Sequence, residues 1–480
     1  MLAIEDLFTQ RRHWIGGEWH EARGTASFGV HDPSTEEVIG AVAGGSCEDV
    51  DDAVEAAAKA LPAWRAAPLE ERLELVSRLC DVMESDAGAL AEIITSEVGA
   101  PVAIAGPAHV GLAVGIARSF IDVARTFPFE EQVGRSTLLR EPVGVVGCIT
   151  PWNLPLILIS QKLPGALAAG CTVVLKPSEL TPFSALRLAE CTAAAGLPPG
   201  VVNVVTGDGP ITGEAIVTHP KVDKVSFTGS TRAGRRVGSL AAESVKRVSL
   251  ELGGKSANLI LPDADLERAV RTGVHQATFN AGQSCIAWSR ILVREDQEAD
   301  ATGLAAEVMS AMRVGDPRDP DTEIGPLVSA AALDRVRGYI RSGVDEGARV
   351  ATGGPDPVPG LDRGYYVRPT VLSGVSPGMT VAQQEIFGPV VCVISYRDEA
   401  DAVEIANATD YGLHGAVWSS DPERARRVAM HVRSGMLNIN GYGFDPYAPF
   451  GGVKQSGVGR ELGVEGLSAF LETKVVQVCG

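Results

Sequence analysis

The chain carries a cysteine in the run Phe279-Asn280-Ala281-Gly282-Gln283-Ser284-Cys285 and a glutamate 34 residues before it, in Leu250-Glu251-Leu252-Gly253-Gly254-Lys255. A thiolate is a soft nucleophile, and a carboxylate can take its proton or activate a water that later attacks a thioester. The pair points to chemistry through an acyl-cysteine. Unpaired cysteine is also among the most buried residue types, so Cys285 alone reads first as core. Its neighbours argue otherwise: Gly282 and Gln283 among small residues place it on a loop just past a helix, where a side chain can face a cleft.

The elements that must position this pair follow from Val143 onward. Short β-branched runs, Val143–Ile149, Thr172–Lys176, Val201–Val205, Lys224–Thr228 and Arg247–Leu250, alternate with helical stretches. Their spacing suits strand, crossover helix and return strand, so a parallel, doubly wound α/β sheet is expected, with ligands beyond the carboxyl ends of its strands. A second α/β alternation begins near Gly254: a helix from Asp265 to about Ala281, then Arg290–Val293, Val390–Tyr396, Ala416–Ser419 and Met436–Asn440. Glu251 closes one unit and Cys285 opens the next, a junction of the kind that holds ligand clefts. Ahead of Val143, a strand-rich opening at Trp14 to Trp19 precedes two packing helices. Ser46 and Asp49 form a capping box before the stripe Val50, Ala53, Val54, Ala57 and Leu61; a second stripe runs through Leu69, Leu73, Val76, Leu79, Cys80 and Met83.

At 480 residues the chain exceeds one ordinary hydrophobic core, and 45% apolar with 21% charged residues is a globular composition. A formal charge of −18 opposes nucleic acid and acidic membrane surfaces, so neither is an expected partner. The opening residues show no signal or transit peptide, and the longest apolar regions found, Val143 to Ile149 and Leu154 to Ile159, are too short to span a bilayer. Eight scattered cysteines without a C-x-x-C pair, and eight histidines without H-x-x-x-H spacing, predict no disulfide framework, no metal and a reducing cytoplasm.

Three strand ends carry candidate ligand groups. Lys176-Pro177-Ser178-Glu179 could clamp a ribose, or be a solvated turn. Gly229-Ser230-Thr231 opens a helix running roughly to Ala242, whose free N–H groups suit a pyrophosphate. The glycines from Gly207 to Gly213 have G-x-G-x-x-x-G spacing, which turn chemistry explains equally well. Asn153, held between Pro151 and Pro155, could donate its amide to an oxyanion near Cys285 or merely satisfy a turn.

Taken together, Pro151-Trp152-Asn153, Lys176-Pro177-Ser178-Glu179, Phe227-Thr228-Gly229-Ser230, the run through Glu251, Gly282-Gln283-Ser284-Cys285, Glu385-Ile386-Phe387-Gly388-Pro389 and Pro449-Phe450-Gly451-Gly452 resemble the NAD(P)-dependent aldehyde dehydrogenase superfamily, in its order and over the chain from about residue 14 onward. The resemblance implies oxidation of an aldehyde to its acid through a thiohemiacetal and thioester on Cys285. Asn153 and the Cys285 N–H would hold the oxyanion, and Glu251 would be the base for hydrolysis. It further implies Lys176 and Glu179 at the adenosine ribose, Gly229 and Ser230 at the pyrophosphate, Ile149, Trp152 and Gly209 on the adenine side, Leu252 at the cofactor, and Glu385 with Phe387 at the nicotinamide ribose and ring. Lys162 and Glu461 fall where some members have a proton relay. The implied architecture is a Rossmann-like cofactor domain (1–121 and 143–253), a second α/β catalytic domain (254–455), and an antiparallel oligomerisation arm with the chain end (122–142 and 456–480) that builds homodimers or homotetramers.

The chain departs from the family at the substrate tunnel. Gln161 and Leu154 stand where aromatics are frequent, while Phe279, Phe444 and Phe450 are apolar candidates. A neutral, largely apolar aldehyde is expected, because no lysine or arginine is evident there. Glu179 would repel a 2′-phosphate, which favours NAD over NADP although Lys176 could partly compensate. Two other readings stand: a coenzyme A-acylating dehydrogenase, which the base at Glu251 disfavours, and a catalytically inactive binding protein of the same fold.

Overall fold

The structure, a computed structural model, describes residues 1–479. Its opening helices form as their patterns demand. Ser46 Oγ accepts from the Asp49 N–H at 3.3 Å while Asp49 Oδ2 accepts from the Ser46 N–H at 2.8 Å, starting the helix Cys47–Ala66. The second stripe becomes Leu69–Ser85, with Leu73, Val76, Leu79, Cys80 and Met83 buried.

Five parallel strands form the heart of an eight-stranded sheet, in the order Arg247–Glu251, Lys224–Thr228, Val145–Ile149, Thr172–Lys176, Val202–Val204. The earliest of the five lies centrally and the chain winds outward from it in both directions, which makes its carboxyl end the switch point of a doubly wound sheet. The antiparallel hairpin Arg12–Ile15 and Glu18–Glu21 extends one edge, and Gly457–Val458 pairs antiparallel on the other.

A second sheet runs in the order Arg349–Thr352, Thr370–Ser373, Val390–Tyr396, Arg290–Arg294, Ala257–Ile260, Gly415–Trp418, Asn438–Ile439, parallel except at its first pair. The expected strand at Met436–Asn440 contracts to two residues. Ala257–Ile260 is absent from the sequence reading because Asn258 interrupts its apolar run. That amide is buried and satisfied, donating to Ala269 O at 3.0 Å and accepting from Trp418 Nε1 at 2.7 Å.

Glu130–Val133, Ser136–Pro142 and Leu471–Gln477 make a three-stranded antiparallel sheet. Other parts of the expected arm segments lie elsewhere. Residues 122–126 finish the helix Leu112–Thr126, with Ala124 fully buried, and the helix Gly463–Ser468 packs against Leu112–Thr126 and Leu163–Ala169. Helical structure is continuous from Val102 to Thr126 through a π-helical turn at Ala105–Gly111. This run outlasts the apolar regions found in the sequence and is long and apolar enough to cross a membrane. Ile116, Ala117 and Phe120 place it in the protein's core.

Candidate active site

The helix Leu266–Thr278 stops short of Ala281 because the chain turns left-handed: φ is 53° at Asn280, 55° at Ala281 and 72° at Gly282. A Cβ on Gly282 would lie 2.2 Å from the Gly388 carbonyl, so only glycine fits between this loop and the one carrying Glu385 and Phe387. Left-handed non-glycine residues cost about 1–3 kcal/mol each and persist where surroundings over-determine them. Here buried amides do so. Asn280 Nδ2 donates to Asn153 O at 2.9 Å, Asn153 Nδ2 to Gln283 O at 2.9 Å, and Gln283 Nε2 to Asn280 O at 3.1 Å; Gln283 Oε1 accepts from the Val328 N–H at 2.9 Å. Asn153, 3% exposed, thus rests its amide on the loop two residues before Cys285.

Glu251 ends its strand, and Gly254 passes behind the cysteine so closely that a Cβ there would sit 2.3 Å from Cys285 O. Both Glu251 carboxylate oxygens are buried without a hydrogen-bond partner. Burial first, then the neighbouring Glu461, holds its pKa well above the ordinary carboxylate range. Burial, then Glu385 and Glu251, likewise pushes the Cys285 thiol up. Gly451 leaves room beside the base, since a Cβ there would meet Glu251 Oε1 at 2.5 Å.

The strand Lys224–Thr228 turns Lys224, Ser226 and Thr228 to one face, which is polar although buried. Lys162, wholly buried, donates to Thr228 Oγ1 at 2.6 Å and pairs with Glu461; Ser226 Oγ lies 3.3 Å from Glu461 Oε1, and Lys224 Nζ donates to Ser249 Oγ at 2.7 Å. The structure therefore joins Lys162 to Glu461 within reach of Glu251's charge. It adds Ser226 and Thr228, which a strand-period reading passes over.

A cleft of about 530 Å³ brings together Trp152, Asn153, Gly229, Ser230, Leu252, Cys285, Glu385 and Phe387, along with Pro151, Leu158, Thr228, Gly253 and Arg335. Trp152 and Phe387 meet edge to face with centroids 5.4 Å apart. Ser230 caps the 13-residue helix Thr231–Glu243, whose first amides suit a pyrophosphate, and Glu385 accepts from the Gly254 N–H at 3.0 Å. Thr231 Oγ1 is buried and unpartnered at the same helix start. These groups fit a dinucleotide. Ile149, Lys176, Glu179 and Gly209 do not line this cleft; they lie at or after adjoining strand ends. Lys176 Nζ is committed to Gly207 O at 2.7 Å and Pro177 O at 2.9 Å, with Glu179 at 3.7 Å, and burial lowers its pKa.

A second cavity, about 760 Å³, reaches Cys285 from the other side. Leu154, Gln161, Phe279, Phe444 and Phe450 all line it, with Ala108, Leu112, Ile157, Leu158, Gln276, Ser284, Ile286 and Tyr442. No lining residue is charged. Arg335 in the cleft, and Gln276 and Tyr442 in the tunnel, escaped the sequence reading because each belongs to a segment with no local ligand signature. All eight cysteines are free, and among the described residues no group of three or more His, Cys, Asp or Glu side chains is placed to hold a metal ion.

Residues 19–476 match the aldehyde dehydrogenase family model. The chain is 48% identical over 467 residues to a 3-succinoylsemialdehyde-pyridine dehydrogenase of a Pseudomonas species, covering 97% of this chain and 98% of that protein. A variant of an aldehyde dehydrogenase from Pseudomonas syringae, solved with NAD⁺ and octanal, superposes with a TM-score of 0.97 at 45% identity, over 98% of this chain and 97% of that one. An aldehyde dehydrogenase from Bacillus cereus in its NAD⁺ complex gives 0.96 at 39% identity, over 100% and 99%. The chain belongs to the aldehyde dehydrogenase family.

Proposed function

We propose that this protein uses NAD to oxidise a neutral, largely apolar aldehyde to its carboxylic acid, with Cys285 as nucleophile. The observation that carries this reading is that Cys285 lies in both the polar cleft and the uncharged tunnel, where a cofactor ring and a carbonyl carbon would meet. The NAD⁺ complexes of the Pseudomonas syringae and Bacillus cereus enzymes support the cofactor.

The Cys285 thiol loses its proton to solvent, its Sγ bonds to the carbonyl carbon, and the Asn153 amide with the Cys285 N–H holds the resulting oxyanion. When bound, NAD supplies the hydride acceptor and a positive ring that favours nearby anions. The thiohemiacetal carbon loses hydride and becomes a thioester. Glu251, its oxygens free of other partners, takes a proton from the water that attacks this thioester, releasing carboxylate and the Cys285 thiol. Glu461 and Lys162 carry that proton away from the base.

Glu179, beside an ammonium already held by two carbonyls, disfavours the 2′-phosphate of NADP. Residues 1–121 and 143–253 serve as cofactor domain and 254–455 as catalytic domain; the sheet of Glu130–Val133, Ser136–Pro142 and Leu471–Gln477 offers edges for a homo-oligomer. The test is production of NADH and carboxylate from an aldehyde panel, with and without coenzyme A. Stoichiometric acid independent of coenzyme A is expected; acyl-coenzyme A as sole product, or no NADH with any aldehyde, overturns the reading.

A further inference from the structure

We infer that Gln161 is a specificity residue that hydrogen-bonds the substrate, and that the aldehyde oxidised here carries a neutral hydrogen-bond donor, a hydroxyl, on its otherwise apolar chain. The inference deepens the proposed oxidation and rests on it.

Gln161 follows the helix Pro155–Ser160, its N–H donating to Ile157 O at 2.9 Å. Leu154, Ile157, Leu158 and Gln161 recur at i, i+3, i+4 and i+7, so one helical face supplies this wall of the tunnel. Three of the four are aliphatic. The fourth is an amide only 2% exposed, and its Oε1 is buried with no hydrogen-bond partner. A leucine would fill that wall without a buried polar group left unmade, so packing does not account for the amide. Nor is an unsatisfied amide general in this region: Gln283 and Asn280, equally buried beside Cys285, are bonded to the main chain.

Gln161 lines the tunnel, so a turn of its terminal amide presents Oε1 to a donor there. That donor is uncharged, because no acidic or basic side chain lines the cavity to balance a charge. It also lies away from the reacting carbonyl. Leu158 touches both cleft and tunnel, whereas Gln161 touches the tunnel alone and stands about one helical turn, ~5 Å, farther along. The polar group belongs on the chain, several bonds from the aldehyde carbon.

The test compares kcat/KM for unbranched alkanals with hydroxy derivatives of the same length, the substituent moved carbon by carbon, in the wild type and in Gln161→Leu. Gln161→Met serves if the leucine variant does not fold. In the wild type at least one polar isomer is expected to exceed its parent alkanal by about tenfold, and in the variant that ratio falls to about one. A preference unchanged by the substitution, or alkanals oxidised at least as well as every polar isomer, overturns the inference while leaving the proposed chemistry intact. Failure of every aldehyde to yield NADH overturns both.

Discussion

The cleft and the tunnel share Leu158 and Cys285 but are built on opposite principles. The cleft is shaped by main chain. A Cβ on Gly229 would come within 2.6 Å of the Phe227 ring, and one on Gly253 within 2.4 Å of Glu385 Oε2. The tunnel is shaped by side-chain volume, from a helix face, an aromatic loop and the π-helical turn. A common reaction requires the first to be fixed; a particular substrate requires only that the second be the right size and polarity. Changes in the cleft should therefore lower kcat for every aldehyde, and changes in the tunnel should redistribute kcat/KM among them.

The largest expected effect lies where the two regions meet. Cys285→Ala should reduce NADH formation by about 10⁴-fold or more for all aldehydes, read by steady-state absorbance; residual activity within tenfold would break the account. Glu251→Gln should slow steady-state turnover by about 10²–10⁴-fold yet keep a first-turnover burst of NADH, read by stopped flow. The same variant carries a stability prediction. Because Glu251 has its pKa raised on folding, the folded chain binds the extra proton, and the wild type loses stability as pH climbs from the ordinary carboxylate value through the raised one. The glutamine variant escapes that loss and should be more stable at alkaline pH by about 1–3 kcal/mol, with the gap closing in acid. Denaturant melts at two pH values check it, and a gap that widens in acid contradicts it.

Asn153→Ala should cost about 10²–10³-fold in kcat, provided near-UV dichroism shows the loop intact, since Asn153 also bonds to Gln283 O. The smallest effect sits at the cleft's outer rim. Glu179→Gln should move the NAD to NADP ratio of kcat/KM toward NADP by less than about tenfold, as the carboxylate is one-third exposed and screened. An unchanged ratio would remove Glu179 from cofactor choice.

The parallel strands after Val143 were legible because buried parallel strands are short β-branched runs bounded by turns, and the capping box because its two hydrogen bonds lie within four residues. The Val102–Thr126 helix was not, since Gly106, Pro107 and Gly111 read as breakers and only a π-helical turn, supported by tertiary packing, carries the chain through them. In the site, Cys285, Asn153 and Glu251 stood out as residue types at strand and helix ends. Ser226 and Thr228 did not, because the strand's polar face acquires its meaning only when Lys162 and Glu461, remote in the chain, pack against it.

The most direct measurement is intact-protein and peptide mass spectrometry of Glu251→Gln quenched after one turnover with NAD and a medium-chain aldehyde. One acyl group on the peptide bearing Cys285, equal in amount to the NADH formed, is the predicted result. NADH formed without that adduct, or an adduct on another cysteine, would contradict it.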